Sequence, residues 1–531
     1  MKTNKLNIFL SFTVLIVFQS CMKYEKADLV VHNAKIYTVN GEFEIAQAMA
    51  IKDGIIVAID KEREIMNKYR SDEFFDAQTR PIYPGFIDGH CHFLGSGLNW
   101  LAVDLSKTKS KEDIVGEIIG HNMHNNELEW VVGFGWDENN WTDKTINNDL
   151  LNKEFPKMPV LLWRIDGHSL LVNDAAIRKV NPSSEIINGI VTEKDISLFV
   201  NKIDYTEEQK KMALTFSQNE CFKNGITTVS DAGLTVNEVK LIQNQYANYD
   251  LDIRMYGMLY SSEEILNIYK KNGKDSTDKL NVNSIKIVID GAVGSKTACF
   301  KKPYKETNEY GKLLVTKDSL LQIAKFCYAN DLQLNAHCIG DSAVKITLEI
   351  MGSVLKTQND RRWRIEHAQA VDTKDLDKFL KYSIIPSVQP THGIDDFKMA
   401  LNKLHKYSFL NSYKVKTLLD QNGIIIFGTD FLVADKNPMV TFYNAVVRNR
   451  KDGSSSSVLS SEKVTRKEAL NAMTFWAAMG NKQENNRGSL EVGKYADFVI
   501  LDRDIMKVEE KDILKTQVKY TFVDGELVFE Q

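Results

Sequence analysis

Tyr83-Pro84-Gly85-Phe86-Ile87-Asp88-Gly89-His90-Cys91-His92 is an apolar, β-type run that ends on two histidines one residue apart. Side chains alternate along a strand, so His90 and His92 face one side and Cys91 the other. Two imidazoles at the C-terminal end of a buried strand suit a divalent transition metal. Similar runs recur down the chain. Candidate strands end at Ser230-Asp231, Gly257 to Tyr260, Lys286 to Asp290, His337, His367, Gln389 to His392 and Asp430. Helical stretches such as Glu207 to Asn224, Lys317 to Ala329 and Ser342 to Leu355 lie between several of them. Eight strand–helix units predict an α/β fold, a (β/α)8 TIM barrel. The polar groups fall where such barrels place their chemistry, at strand C-terminal ends.

Outward from the barrel, both chain ends change texture. Leu29 to Val39, Ala48 to Ile51 and Ile55 to Ile59 are short strands broken by Asn40-Gly41 and Asp53-Gly54, and Ala496 to Leu501, Val518 to Val523 and Glu526 to Phe529 repeat the pattern. One β-sandwich built from both termini is expected, from residues 27–84 and 485–531, around a barrel at 85–484. Residues from about 100 to 200 are too long for one crossover helix and hold strands of their own, Trp130 to Phe134 and Val160 to Arg164. They read as an insertion over the barrel mouth.

The chain has 531 residues, 43% of them hydrophobic and 26% charged, which is globular composition. Lys plus Arg is 67 against 71 Asp plus Glu, a net charge of −4 without a polybasic run, so nucleic-acid partners are not expected. At the N-terminus, Lys2 and Lys5 precede an apolar run from Leu6 to Phe18, followed by Ser20-Cys21. That is an export signal over residues 1–21, and a cysteine directly after the apolar run resembles a bacterial lipoprotein signal. An ordinary signal peptide or a short uncleaved anchor is the alternative. The expected location is therefore outside the cytoplasm, membrane-anchored or periplasmic, with membrane contact only through a lipidated N-terminus. Cys91, Cys221, Cys299, Cys327 and Cys338 are scattered with no CxxC pair, so no disulfide framework is read.

A lone strand-end histidine is most often a hydrogen-bonded core residue. His90, His92, His337 and His367 together with Asp430, on separate strand ends, are not explained as core filler. In Ser284-Ile-Lys-Ile-Val-Ile-Asp290, Lys286 reads as an interior lysine on an apolar strand, costly unless paired or chemically altered. Carbamylation would make it a metal-bridging carboxylate; a snorkelling lysine at a strand edge is the alternative. Lys296 in the glycine-rich Gly294-Ser-Lys-Thr297 is its rival.

These motifs resemble the amidohydrolase superfamily, in particular its family 3 branch of metal-dependent hydrolases, the YtcJ-like group. The likeness runs through PGFIDGHCH, LLWRIDGHSLLVND, IKIVIDGAVGSKTA, NAHCIGD, RIEHAQ, FGTD and GSLEVGKYADFVILD. It implies that His90, His92, His337 and His367 bind metal, that Asp430 is ligand and proton shuttle, and that Lys286 is the carboxylated bridge. The implied cofactor is a divalent metal, zinc foremost, as one or two ions.

Such an ion lowers the pKa of bound water from about 15.7 to near 7, so hydroxide is available at neutral pH. The implied reaction is attack of metal-bound hydroxide on a small amide, with a non-peptide carbon–nitrogen bond broken in an N-acyl, N-formyl or cyclic amide. Hydrolysis of an ester, lactone or carbamate is the rival reading, and a non-catalytic metabolite-binding lipoprotein is the rival from another class. Around the centre, Trp136 and Arg164 are expected to contact substrate and His168 to bind it and stabilise the oxyanion; the alternative is internal hydrogen bonding of the insertion. Asp341, Gln389 and His392 are candidates to orient the ligands. Glu366 is expected to point away from the barrel interior, by alternation from His367. Oligomeric state stays open, with a homodimer compatible.

Overall fold

The computed structural model describes residues 24–531 except 123–128, 166–168, 193–194, 201, 204, 249, 273, 275, 432 and 450–459. The targeting segment at 1–21 and His168 therefore lie outside the described residues.

Eight strands form the barrel: β1 (Phe86–Cys91), β2 (Ile226–Leu234), β3 (Arg254–Tyr260), β4 (Leu280–Val288), β5 (Gln333–Cys338), β6 (Arg364–His367), β7 (Ile385–Val388) and β8 (Ile426–Phe427). They pair in chain order, every neighbour parallel. Three of the longer helices between them start on side-chain caps. Thr206 and Gln209 form a capping box at the start of helix Glu207–Lys223, and Thr235 and Glu238 do so for Val236–Ala247.

The ring closes where the chain leaving β8 meets β1. The amide of Asp430 donates to the carbonyl of His90 at 2.8 Å, and that of His92 donates to the carbonyl of Phe431 at 2.7 Å. Two glycines permit this approach. A Cβ on Gly89 would lie 2.2 Å from Ile426 Cγ2, and one on Gly428 would lie 2.5 Å from the His90 amide nitrogen. Asp88, buried in the seam, accepts from the Thr429 amide at 3.0 Å and the Thr429 hydroxyl at 2.6 Å. Burial pushes its carboxyl up to about 7 against those hydrogen bonds.

Two further sheets carry both chain ends. A four-stranded sheet joins Ile55–Asp60, Ala48–Lys52, Leu29–His32 and Glu73–Asp76. A six-stranded sheet runs Glu526–Glu530, Val518–Val523, Phe498–Leu501, Pro81–Pro84, Lys35–Tyr37 and Ile45–Ala46. Val31 and Met49 of the first sheet pack against Ile36, Ile82 and Phe498 of the second. Arg254 at the start of β3 reaches Asp497 at 2.6 Å and ties this layer to the barrel.

Between β1 and β2 the chain builds a five-stranded sheet from Val103–Asp104, Val131–Trp136, Val160–Arg164, Ser169–Val172 and Ile190–Thr192. One face packs Val131, Leu162 and Leu171 on Ile114 and Ile118 of helix Lys111–Asn122; the other packs Leu161, Leu170 and Val191 on Phe199. Among the described residues, no helix is long and apolar enough to cross a membrane.

Closure through glycine predicts that Gly428→Ala, which forces a methyl onto the His90 backbone, destabilises the chain by about 1–3 kcal/mol. Thermal unfolding should show a lower midpoint, and an unchanged midpoint would contradict the role given to this contact.

Candidate metal centre

The closing seam delivers three donors to one point. His90 Nε2 and His92 Nε2 lie 3.6 Å and 3.4 Å from the same oxygen, Oδ1 of Asp430. Donor atoms of these three residues all fall within 4.8 Å of one another, as do those of His367, His392 and Asp430. His392, just beyond β7, approaches Oδ2 of Asp430 at 3.7 Å. The carboxylate thus faces two imidazole groups, one with each oxygen. His337 packs its ring 4.6 Å from that of His367, with Nδ1 3.6 Å from Asp290 Oδ1, and belongs to neither triplet.

The rings are held from behind. His90 Nδ1 meets Glu366 Oε2 at 2.5 Å, and His367 Nδ1 donates to Gln389 Oε1 at 2.8 Å. Each contact occupies Nδ1 and leaves Nε2 to the centre, the tautomer a metal ligand needs. Gln389 thus orients a candidate ligand, as its place at a strand end predicts. Asp290 accepts the amides of Cys299, Ile339 and Gly340 at 2.8, 2.9 and 2.8 Å, fixing the turn beside His337.

Charge follows burial and neighbours. Burial, with Lys286 nearby, takes the His90 imidazole down to about 4, and burial beside His337 and His90 holds His367 well below its ordinary value. Burial alone would raise the Asp430 carboxyl; the imidazoles of His92, His90, His367 and His392 around it outweigh that and hold it well below the usual carboxylate range. Glu366 is likewise held down at about 2, with Arg364 and His90 outweighing its burial. Buried imidazoles around carboxylates held in the ionised form make a donor set for a cation. Nε2 of His90, Nε2 of His392 and Oδ1 of Asp430 are buried without a hydrogen-bond partner, so the residues present fit a divalent metal.

Lys286 lies inside the barrel on β4, only 3% exposed and level with Asn335 of β5. Burial lowers its ammonium against the pull of Glu366 and Asp430. Lys296 sits in a half-buried turn.

Two expectations are corrected. Glu366 does not point away from the interior: it is fully buried against His90 and Arg364, with Arg364 Nε at 2.8 Å. Alternation fails because His367 has φ +68°, a left-handed turn that swings its ring to the side Glu366 already faces. Trp136 does not face a substrate. It is 1% exposed, donates its indole N–H to the Leu162 carbonyl at 2.9 Å, and packs in the core of the insertion. Gly135 at φ +109° shifts the strand register there and turns Trp136 to the side of Val131 rather than that of Phe134. Arg164 is engaged with Glu138 at 2.9 Å and Asp137 at 3.2 Å. His168 lies outside the described residues.

A histidine–carboxylate centre at the C-terminal rim of a TIM barrel defines a metal-binding hydrolase. The comparisons agree with that class. The model of the Amidohydrolase family matches residues 73–529, and the chain belongs to that family. It is 28% identical to Protein LONG AFTER FAR-RED 3 of Arabidopsis thaliana, covering 95% of this chain and 92% of that protein. The putative amidohydrolase YtcJ of Bacillus subtilis (strain 168) is 25% identical, over 94% of this chain and 99% of its own length. An N-substituted formamide deformylase of Arthrobacter pascens is 24% identical, over 95% and 98%. Among solved structures, an uncharacterized metal-dependent hydrolase from Pyrococcus horikoshii OT3 superposes with a TM-score of 0.82 at 23% identity, covering 91% of this chain and 99% of that one.

The support from behind predicts that Glu366→Gln weakens divalent-metal affinity by about 10–100-fold. Competition with a chromogenic chelator measures this; an unchanged affinity would remove Glu366 from the centre.

Proposed function

We propose that the chain is a metal-dependent hydrolase of non-peptide carbon–nitrogen bonds, acting on an N-acyl, N-formyl or cyclic amide. The observation that carries the reading is the Asp430 carboxylate, whose Oδ1 faces His90 and His92 while Oδ2 faces His392. His90, His92, His337, His367 and Asp430 would hold the metal, zinc by ligand type, with Lys286 as a carboxylated bridge if two ions bind. When bound, such an ion polarises the substrate carbonyl and makes water acidic enough to attack at neutral pH.

The chain's own groups do the rest. Asp430, ionised and at the rim, takes the proton of the attacking water and delivers it to the leaving nitrogen as the C–N bond breaks. An amine leaves poorly unless protonated, so a carboxylate at this point matters more for an amide than for an ester. His168, which follows the strand Val160–Arg164 in sequence, serves as the oxyanion donor in this proposal.

Kinship over nearly the whole chain with a formamide deformylase supports amide chemistry. Ester, lactone or carbamate hydrolysis uses the same centre and is the second reading. A non-catalytic binding protein is disfavoured, since binding alone does not call for a proton-accepting carboxylate at the metal donors. The N-terminal sequence supports export with lipid attachment at Cys21, to a membrane or the periplasm.

Asp430→Asn should lower kcat by about 100-fold or more with the substrate's KM little changed. Paired formamide and formate-ester substrates decide the bond: fast ester cleavage with negligible amide cleavage would overturn the amide reading.

A further inference from the structure

A cleft of about 600 Å³ lies between the insertion and the barrel, within the range of about 300–1,000 Å³ usual for small-molecule sites. The insertion contributes Val132, Phe134, Trp163 and Ile165, and the barrel side contributes Leu98 and Val433. Phe134 and Trp163 stand level on adjacent strands and form one aromatic wall. The shift at Gly135 that turns Trp136 into the core leaves Val132 and Phe134 on this side.

Two of the segments that line the cleft continue in sequence from metal donors. Leu98 rides on helix Phe93–Trp100, which begins directly after His92, and the Val433 amide donates to the Asp430 carbonyl at 2.8 Å. No charged side chain is among the described lining residues; Asn99 and Tyr205 supply the polar atoms. Arg164, between Trp163 and Ile165 in sequence, is turned to Asp137 and Glu138. Ile165 is 48% exposed and Val433 72%, large apolar surfaces left in water on the two sides of the cleft.

We infer that this cleft is the specificity subsite and receives an uncharged aryl or alkyl substituent of the substrate. The inference rests on the reading of the centre as hydrolytic and narrows its substrate class to amides bearing a bulky apolar group. Burial of each added methylene in such a cleft strengthens binding about threefold to fourfold.

The test uses the full metal-loaded chain with N-methyl-, N-butyl-, N-hexyl-, N-benzyl- and N-(2-carboxyethyl)formamide, alongside the formate esters of the matching alcohols. Within whichever series is hydrolysed, kcat/KM should climb with apolar size by about that factor per methylene and drop for the carboxylate. Phe134→Ala and Trp163→Ala should flatten the climb. Val433→Ser, at an exposed position that folding does not depend on, should flatten it partly. A climb among esters with inert amides would overturn the amide reading and keep the subsite. A flat series, or preference for the carboxylate, would overturn the subsite whichever bond is cut. If neither series turns over, calorimetry with N-hexylurea and N-methylurea decides: tighter hexylurea binding supports the subsite, and equal binding overturns it.

Discussion

Nitrogen and oxygen lone pairs buried without hydrogen-bond partners are the constraint around which this molecule is arranged. Each unsatisfied buried polar group costs about 1–3 kcal/mol, and Nε2 of His90, Nε2 of His392 and Oδ1 of Asp430 are all of this kind. Their convergence makes sense as a cation site and has no comparable value as packing. The surrounding groups serve it. Glu366 and Gln389 fix the ring orientations of His90 and His367, and Arg364 keeps Glu366 ionised within the barrel.

The same place is the seam of the barrel, so folding and function share their geometry. Asp430 reaches His90 because the chain leaving β8 hydrogen-bonds β1, and it can do so because Gly89 and Gly428 carry no side chain. Asp88 and Thr429 lock the seam one step below the donors. The left-handed backbone at His367 and Asp430 is local strain borne by these contacts, and it aims both side chains at the centre.

Much of this could be read from residues alone. Eight strand ends carrying polar groups gave away the barrel, and the paired histidines of Tyr83 to His92 pointed to metal. What could not be read were departures from regular alternation. Glu366 faces inward because the backbone turns at His367, and Trp136 is buried because Gly135 shifts a strand. His392 was legible as a polar strand-end residue, but its approach to the far oxygen of Asp430 depends on how β7 and β8 sit together. Gly135 in Gly133-Phe-Gly-Trp136 was the signal for a bulge.

On the proposed reading, chemistry belongs to the strand ends and selection to the wall of the insertion raised beside them. On this proposal His90, His92 and Asp430 hold a catalytic cation. Anomalous diffraction from crystals of zinc-loaded protein, recorded on both sides of the zinc absorption edge, tests it most directly. A zinc peak contacted by His90 Nε2, His92 Nε2 and Asp430 Oδ1 is expected. Loaded crystals with no peak there, or with zinc bound only elsewhere, would contradict it.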